Sequence, residues 1–214
     1  MNKRTNDLLA VGLALCAIAG SLYYSLAGRS SRVDLSTYEA LGAITADETA
    51  TLLGNKGRVI LIARDTGPDK NPSVEAQLTA FQRALKKHAG LSLLTDRFKA
   101  APDMMMATGG GVPPDHLSKT LARHGKIDAM VLFCAIPPMA DSELNAIRKS
   151  GAKVVVVSSF HSDYGRLLDQ QLIHRVVAPQ PESPPPGAPP PRTLRERFDQ
   201  DYVIVTKANA AQWR

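Results

Sequence analysis

The sequence is poor in the residues that most often announce a function. It holds two cysteines, Cys16 and Cys134, in 214 residues, too few for a disulfide framework. Each lies in an apolar stretch and reads as a small apolar filler. Leu13-Ala14-Leu15 lacks the small residue expected just before a lipid-attachment cysteine. Aromatic residues make up 5%, and the net charge of +6 is scattered, with no lysine–arginine block. Nucleic acid is therefore not an expected partner, because it needs a clustered basic face. No G-x-x-x-x-G-K-[ST] and no G-x-G-x-x-G occurs, so nothing is built to wrap a di- or triphosphate. No G-x-S-x-G elbow is present, which removes the commonest setting for a nucleophilic serine. His161 and Asp163 have no third metal ligand within sequence reach, so neither metal nor cofactor is expected.

One long hydrophobic run stands out. From Leu8 to about Gly28 the chain carries no charge, and a helix of this length can cross a hydrocarbon core of roughly 30 Å. Tyr23 and Tyr24 sit near its far end, where amphipathic rings favour the interface. Residues 1–28 read as an uncleaved membrane anchor with a short cytoplasmic tail. Ser25-Leu26-Ala27 also fits secretory cleavage before Gly28. Either way the remaining chain is expected outside the cytoplasm, on the periplasmic side.

Residues 29–44 read as a spacer, and "TADETATLLG" as a short helix, with Thr45 and Glu48 in capping-box spacing. The spacer and helix together cover residues 29–56. Strands and helices then alternate. "RVILIA" is a β-branched, nearly all-apolar strand of the kind covered on both faces. Asn71 and Pro72 open a helix carrying Val74, Leu78, Phe81 and Leu85 at helical spacing. "LSLLT", "DAMVLFCAI", "KVVVVSSF" and "LIHRVVA" are further strands. Helices with Leu117 and Leu121, with Leu144 and Ile147, and a short one over "DYGRLLDQ" separate the later ones. This alternation predicts an α/β fold: a three-layer, doubly wound, mainly parallel sheet of order 2-1-3-4-5 over residues 57–178. Residues 179–192 hold eight prolines and read as an extended linker or a ligand for a proline-recognising partner. Residues 193–214 add a helix, "TLRERFDQ", and an apolar run, "YVIVT", that could pair at the sheet edge.

In such folds ligands sit beyond the carboxyl ends of the strands. That rule nominates Asp65 and Thr66 after the first strand, Pro137 after the third, and Ser159 and His161 after the fourth. Asp65 fits either a hydrogen-bond acceptor for hydroxyls or a turn cap, and the turn is favoured. Ser158, Ser159, His161 and Asp163 together suggest a hydrolase, but close neighbours in sequence rarely adopt triad geometry. No catalytic residue is assigned. "TGGGV" fits an anion-binding nest or a flexible connection, and Met104, Met105 and Met106 fit adaptable apolar contacts.

The segment "KIDAMVLFCAIPPMADSELNAIRKSGAKVVVVSSF" resembles type I periplasmic sugar-binding proteins and the related repressor ligand-binding domains. "RVILIARD…NPSVEAQLTAFQRALKKHAG" resembles their first strand and first long helix. The resemblance covers residues 57 to 178, one lobe, and implies a membrane-tethered, non-enzymatic module that binds a small polar ligand or a protein. These proteins close two lobes on the ligand, and the resemblance here covers one. The resemblance therefore implies a partner protein or a homodimer to complete a clamp. The alternative is a membrane-anchored structural or assembly protein that binds only protein.

Overall fold

The structure, a computed structural model, describes residues 12, 16–21, 34–67, 70–99, 111–113, 115–136, 139–158, 164–182, 185, 187 and 189–213. The chain divides into two units, residues 1–34 and 35–214. In the first, residues 16–21 are helical. Most of the apolar run from Leu8 to Gly28 lies outside the described residues. Among the described residues no helix is long and apolar enough to cross a membrane.

The second unit is built on six strands: β1 (Gly57–Arg64), β2 (Leu91–Phe98), β3 (Ala129–Phe133), β4 (Lys153–Val157), β5 (Arg175–Pro179) and β6 (Tyr202–Val205). The sheet order is β2-β1-β3-β4-β5-β6. The first five strands pair in parallel as expected, and β6 joins antiparallel to β5. Helices α1 (Ser36–Leu52), α2 (Pro72–Leu85), α3 (His116–His124), α4 (Asp141–Ser150), α5 (Gly165–Asp169) and α6 (Leu194–Asp201) cover it.

The three layers follow from the strand order. The chain moves one way along the sheet from β1 to β2, and the other way from β2 onward. Crossovers of one hand in opposite directions place their helices on opposite faces. Leu78 and Phe81 of α2 therefore pack on Val59, Leu61 and Val131. Leu117 of α3, Ile147 of α4 and Leu168 of α5 pack on Ile60, Met130, Val154 and Val176 of the opposite face. This arrangement leaves the α2 face bare over β4 and β5. Leu41 and Ile44 of α1 and Phe198 of α6 fill it, over Val157 and Val177. Val59 to Ala63 are fully buried, which is why β1 is an unbroken apolar run. Burying each larger side chain of this kind stabilises by about 1.5–3 kcal/mol.

Local signals explain most boundaries. Asn71 Oδ1 accepts from the backbone N–H of Ser73 and Val74 at the start of α2, with Pro72 in the first turn. Gly151 ends α4 at φ 68°, a left-handed conformation that glycine adopts without cost.

Three expectations are corrected. Thr45 is not a cap. It lies inside α1, fully buried, and its hydroxyl donates back to Leu41 O at 2.7 Å. Residues 36–44, read as spacer, form the first half of that helix. β2 runs on past Thr95 to Phe98, paired along its length with β1. Its outer position explains the misreading, since an edge strand tolerates Asp96 and Arg97 where a central one would not.

The proline-rich stretch connects β5 to α6, and the chain then returns to pair beside β5. Gln180 holds this junction: its Nε2 donates to Asp199 O at 3.1 Å and Tyr202 O at 3.2 Å, and its backbone N–H to Asp201 O at 2.9 Å.

Candidate functional site

The carboxyl ends of β3, β4 and β5 meet the first turns of α1 around a cavity of about 280 Å³. Its walls come from parts of the chain far apart in sequence. Phe133, Val157, Ser158 and Pro179 end or follow the parallel strands. Tyr38 comes from α1, Gln77 from α2, and Tyr202 opens β6. The volume is close to the lower end of known small-ligand pockets, about 300 Å³.

The chemistry of the lining is uncharged and hydrogen-bonding. Burial pushes the Tyr202 phenol up to about 12, with the Tyr38 phenol and the Asp201 carboxylate adding to the shift. Tyr202 is thus a neutral hydroxyl throughout the physiological range. Tyr164 Oη donates to Ser158 Oγ at 3.3 Å, and the Ser158 N–H donates to Val177 O at 2.8 Å, so this serine is held in place. Phe133, on the floor, is buttressed edge-on by Phe81 with ring centroids 5.5 Å apart. Thr37 Oγ1 donates to Asp201 Oδ2 at 2.8 Å, tying the start of α1 to the end of α6 through the chain neighbours of Tyr38 and Tyr202. An aromatic wall with a small number of fixed polar groups is the composition expected of a site for a small neutral molecule.

Asp65 Oδ1 accepts from the Gly67 N–H at 3.0 Å, and Gly67 adopts φ 71°, so the carboxylate caps the turn after β1. The Asp65 N–H extends the ladder to Phe98 O at 2.8 Å. Thr66 Oγ1 is buried and has no hydrogen-bond partner among the described residues. Pro137, Ser159 and His161 lie outside the described residues, as do Asp163 and Met104 to Met106. Cys134 is buried in the core as expected, and burial pushes its thiol up to about 12. No group of three or more potential metal ligands occurs among the described residues.

Sequence reasoning missed Tyr38, Gln77 and Tyr202. Tyr38 fell in the segment read as spacer, Gln77 on the polar side of α2, and Tyr202 at the head of a strand whose neighbour was unknown. No local pattern links the three.

The fold and its rim define a single α/β lobe that resembles one lobe of the type I periplasmic sugar-binding proteins. Solved structures agree. An arabinose binding protein from Geobacillus stearothermophilus matches with a TM-score of 0.54 at 14% identity, over 83% of this chain and 63% of its own. A glucose-galactose binding protein from the same organism matches with a TM-score of 0.54 at 12% identity, over 81% and 61%. A sugar-binding protein of a sugar ABC transporter from Bacillus halodurans matches with a TM-score of 0.53 at 15% identity, over 83% and 64%. The chain thus spans 61–64% of the length of these proteins. The likeness is one of fold. No protein-family model and no curated protein matches the chain.

Proposed function

We propose that this chain is an extracytoplasmic, non-enzymatic binding module, held at the membrane by its N-terminal apolar segment. Its ligand is a small, neutral, hydroxyl-rich molecule taken at the carboxyl rim of the sheet. The observation that carries this reading is the rim cavity, where Tyr38, Gln77, Ser158 and Tyr202 converge without a charged side chain among the residues that line it. Neutral hydroxyls and amides satisfy a polyol by exchanging donors and acceptors, and aromatic faces cover its apolar C–H surface. The buried Thr66 hydroxyl, without a partner among the described residues, adds support, since such a group is uncommon. Asp65 and Thr66 follow β1, outside the cavity lining, and the loops that carry Pro137, Ser159 and His161 follow β3 and β4 in sequence; on the strand-end rule all five are proposed as further ligand contacts. The apolar run from Leu8 to Gly28 supports the tether, and the sugar-binding neighbours support the ligand class.

A thermal-shift screen of the full chain against neutral sugars and polyols tests the reading. At least one should raise the melting temperature, because a ligand that binds only the folded state stabilises it in proportion to the logarithm of its concentration over Kd. A flat response to all of them would move the weight to the alternative, an anchored assembly protein whose rim binds only protein.

A further inference from the structure

A second concavity, of about 410 Å³, runs along the outer surface of α1 and α2 and shares no lining residue with the rim cavity. Its floor is small: Ala43 of α1, and Ala76, Ala80 and Ala84 of α2. Its charges are sorted. Glu75 lies in the first turn of α2 and Arg83 in its last, with Lys87 just beyond. The Asp47–His88 contact at 3.3 Å and the packing of Gly42 against Gln77 align α1 with α2. Glu39 therefore lies beside the acidic start of α2. Glu75 is already paired with Arg97, whereas Glu39, Arg83 and Lys87 have no ion-pair partner among the described residues. At the rim of the groove stands Leu194, 46% exposed and one of two large apolar side chains exposed among the described residues.

We propose that this face is a dimer interface whose occupant is a second copy of the chain. Along α2 the outward order is acid, small residues, base, with the exposed Thr79 at the midpoint. A two-fold axis through Thr79 exchanges positions 75 and 83. It lays α2 of one copy antiparallel on α2 of the other, and sets Arg83 against Glu75 and Lys87 against Glu39, twice over. Such an isologous arrangement requires a self-complementary surface, and the sorted charges provide one. The alanines let two helix axes approach to about 8 Å, the near end of the usual range.

Sedimentation and cross-linking of the full chain test this. Thr79→Cys, in a Cys16→Ser background, places two thiols at the axis, and Cys134 is silent because it is buried. It should form a disulfide-linked dimer under mild oxidation faster than Thr51→Cys, which lies outside the groove. Glu39→Lys alone and Lys87→Glu alone should each weaken the dimer about tenfold. An equimolar mixture of the two should recover wild-type association. In the mixed dimer the lysine introduced into one copy meets the glutamate introduced into the other, and that recovery cannot come from a folding defect. A wild-type chain that stays monomeric at about 100 μM, equal cross-linking at positions 79 and 51, or a mixture no better than its components would each overturn the proposal.

Discussion

Thr120 Oγ1 donates a 2.7 Å hydrogen bond to Asp96 Oδ2 in the buried space between α3 and the edge strand β2. His116 Nε2 stands 3.2 Å from the same oxygen, and its ring tilts against Phe98 with centroids 5.2 Å apart. A carboxylate at 8% exposure needs such a donor, and the Thr120 bond fastens the sheet's outer strand to the helix layer. Thr120→Val keeps the shape and removes the donor. It should cost about 1–3 kcal/mol in urea unfolding. Asp96→Asn should cost less than Asp96→Leu, because the amide oxygen still accepts from Thr120 and leaves no orphaned hydroxyl.

Gly42 sits where α1 crosses α2, and a Cβ there would overlap the Gln77 carbonyl oxygen. Alanine has the better helix propensity by about 1 kcal/mol, but overpacking costs about 1–3 kcal/mol, and here the obstacle is backbone. Gly42→Ala should therefore be destabilising in chemical denaturation, while Gly54→Asn, at a turn with φ 62° and open space around it, should be nearly neutral.

These two sites mark what was legible in the sequence. β1, β3 and β4 announced themselves because both of their faces are covered, which selects unbroken runs such as Val59–Ala63 and Val154–Val157. Asn71-Pro72 and Gly151 marked helix ends through local backbone chemistry. α1 was half hidden: its buried set includes Ala40, Gly42, Thr45, Ala46, Thr49 and Ala50. Close contact with α2 and with the sheet selects such small residues, and they produce little hydrophobic periodicity. The rim as a location followed from strand order. The cavity did not, because Tyr38, Gln77, Ser158 and Tyr202 meet only through tertiary packing.

His174 supplies a pH dependence. Its Nδ1 accepts the Val154 N–H at 3.2 Å, a role open only to the uncharged ring. Burial, with a smaller push from Lys153, lowers its pKa from 6.5 to about 4. The unfolded chain therefore takes up this proton first as pH falls. The stabilisation is complete above about 6.5, declines between 6.5 and about 4, and is flat below. With its partial exposure discounted, the loss should be on the order of 1–2 kcal/mol. Urea unfolding at a series of pH values should show that slope, and His174→Asn, whose Oδ1 can accept the same bond, should flatten it.

Glu48 joins three elements. Arg175, at the start of β5, donates to the Glu48 carbonyl oxygen at 2.8 Å and also pairs with its carboxylate. Arg195 of α6 reaches the same carboxylate at 3.5 Å. Arg175→Met leaves Glu48 partly buried with its weaker partner only, and should cost about 2–3 kcal/mol. Arg175→Lys should recover only part of this, since it restores the charge beside Glu48 but not the planar Nη1 that donates to both the carbonyl and the carboxylate.

Calorimetric titration of the full chain with neutral sugars bears most directly on the central claim, that the rim cavity is a ligand site. The wild type should give saturable one-to-one binding with at least one of them. Gln77→Leu should weaken it about tenfold or more, as expected when a hydrogen-bonding group facing the ligand is lost, with the unliganded melting temperature unchanged. Absence of heat with every sugar, or equal affinity in Gln77→Leu and the wild type, would contradict the account.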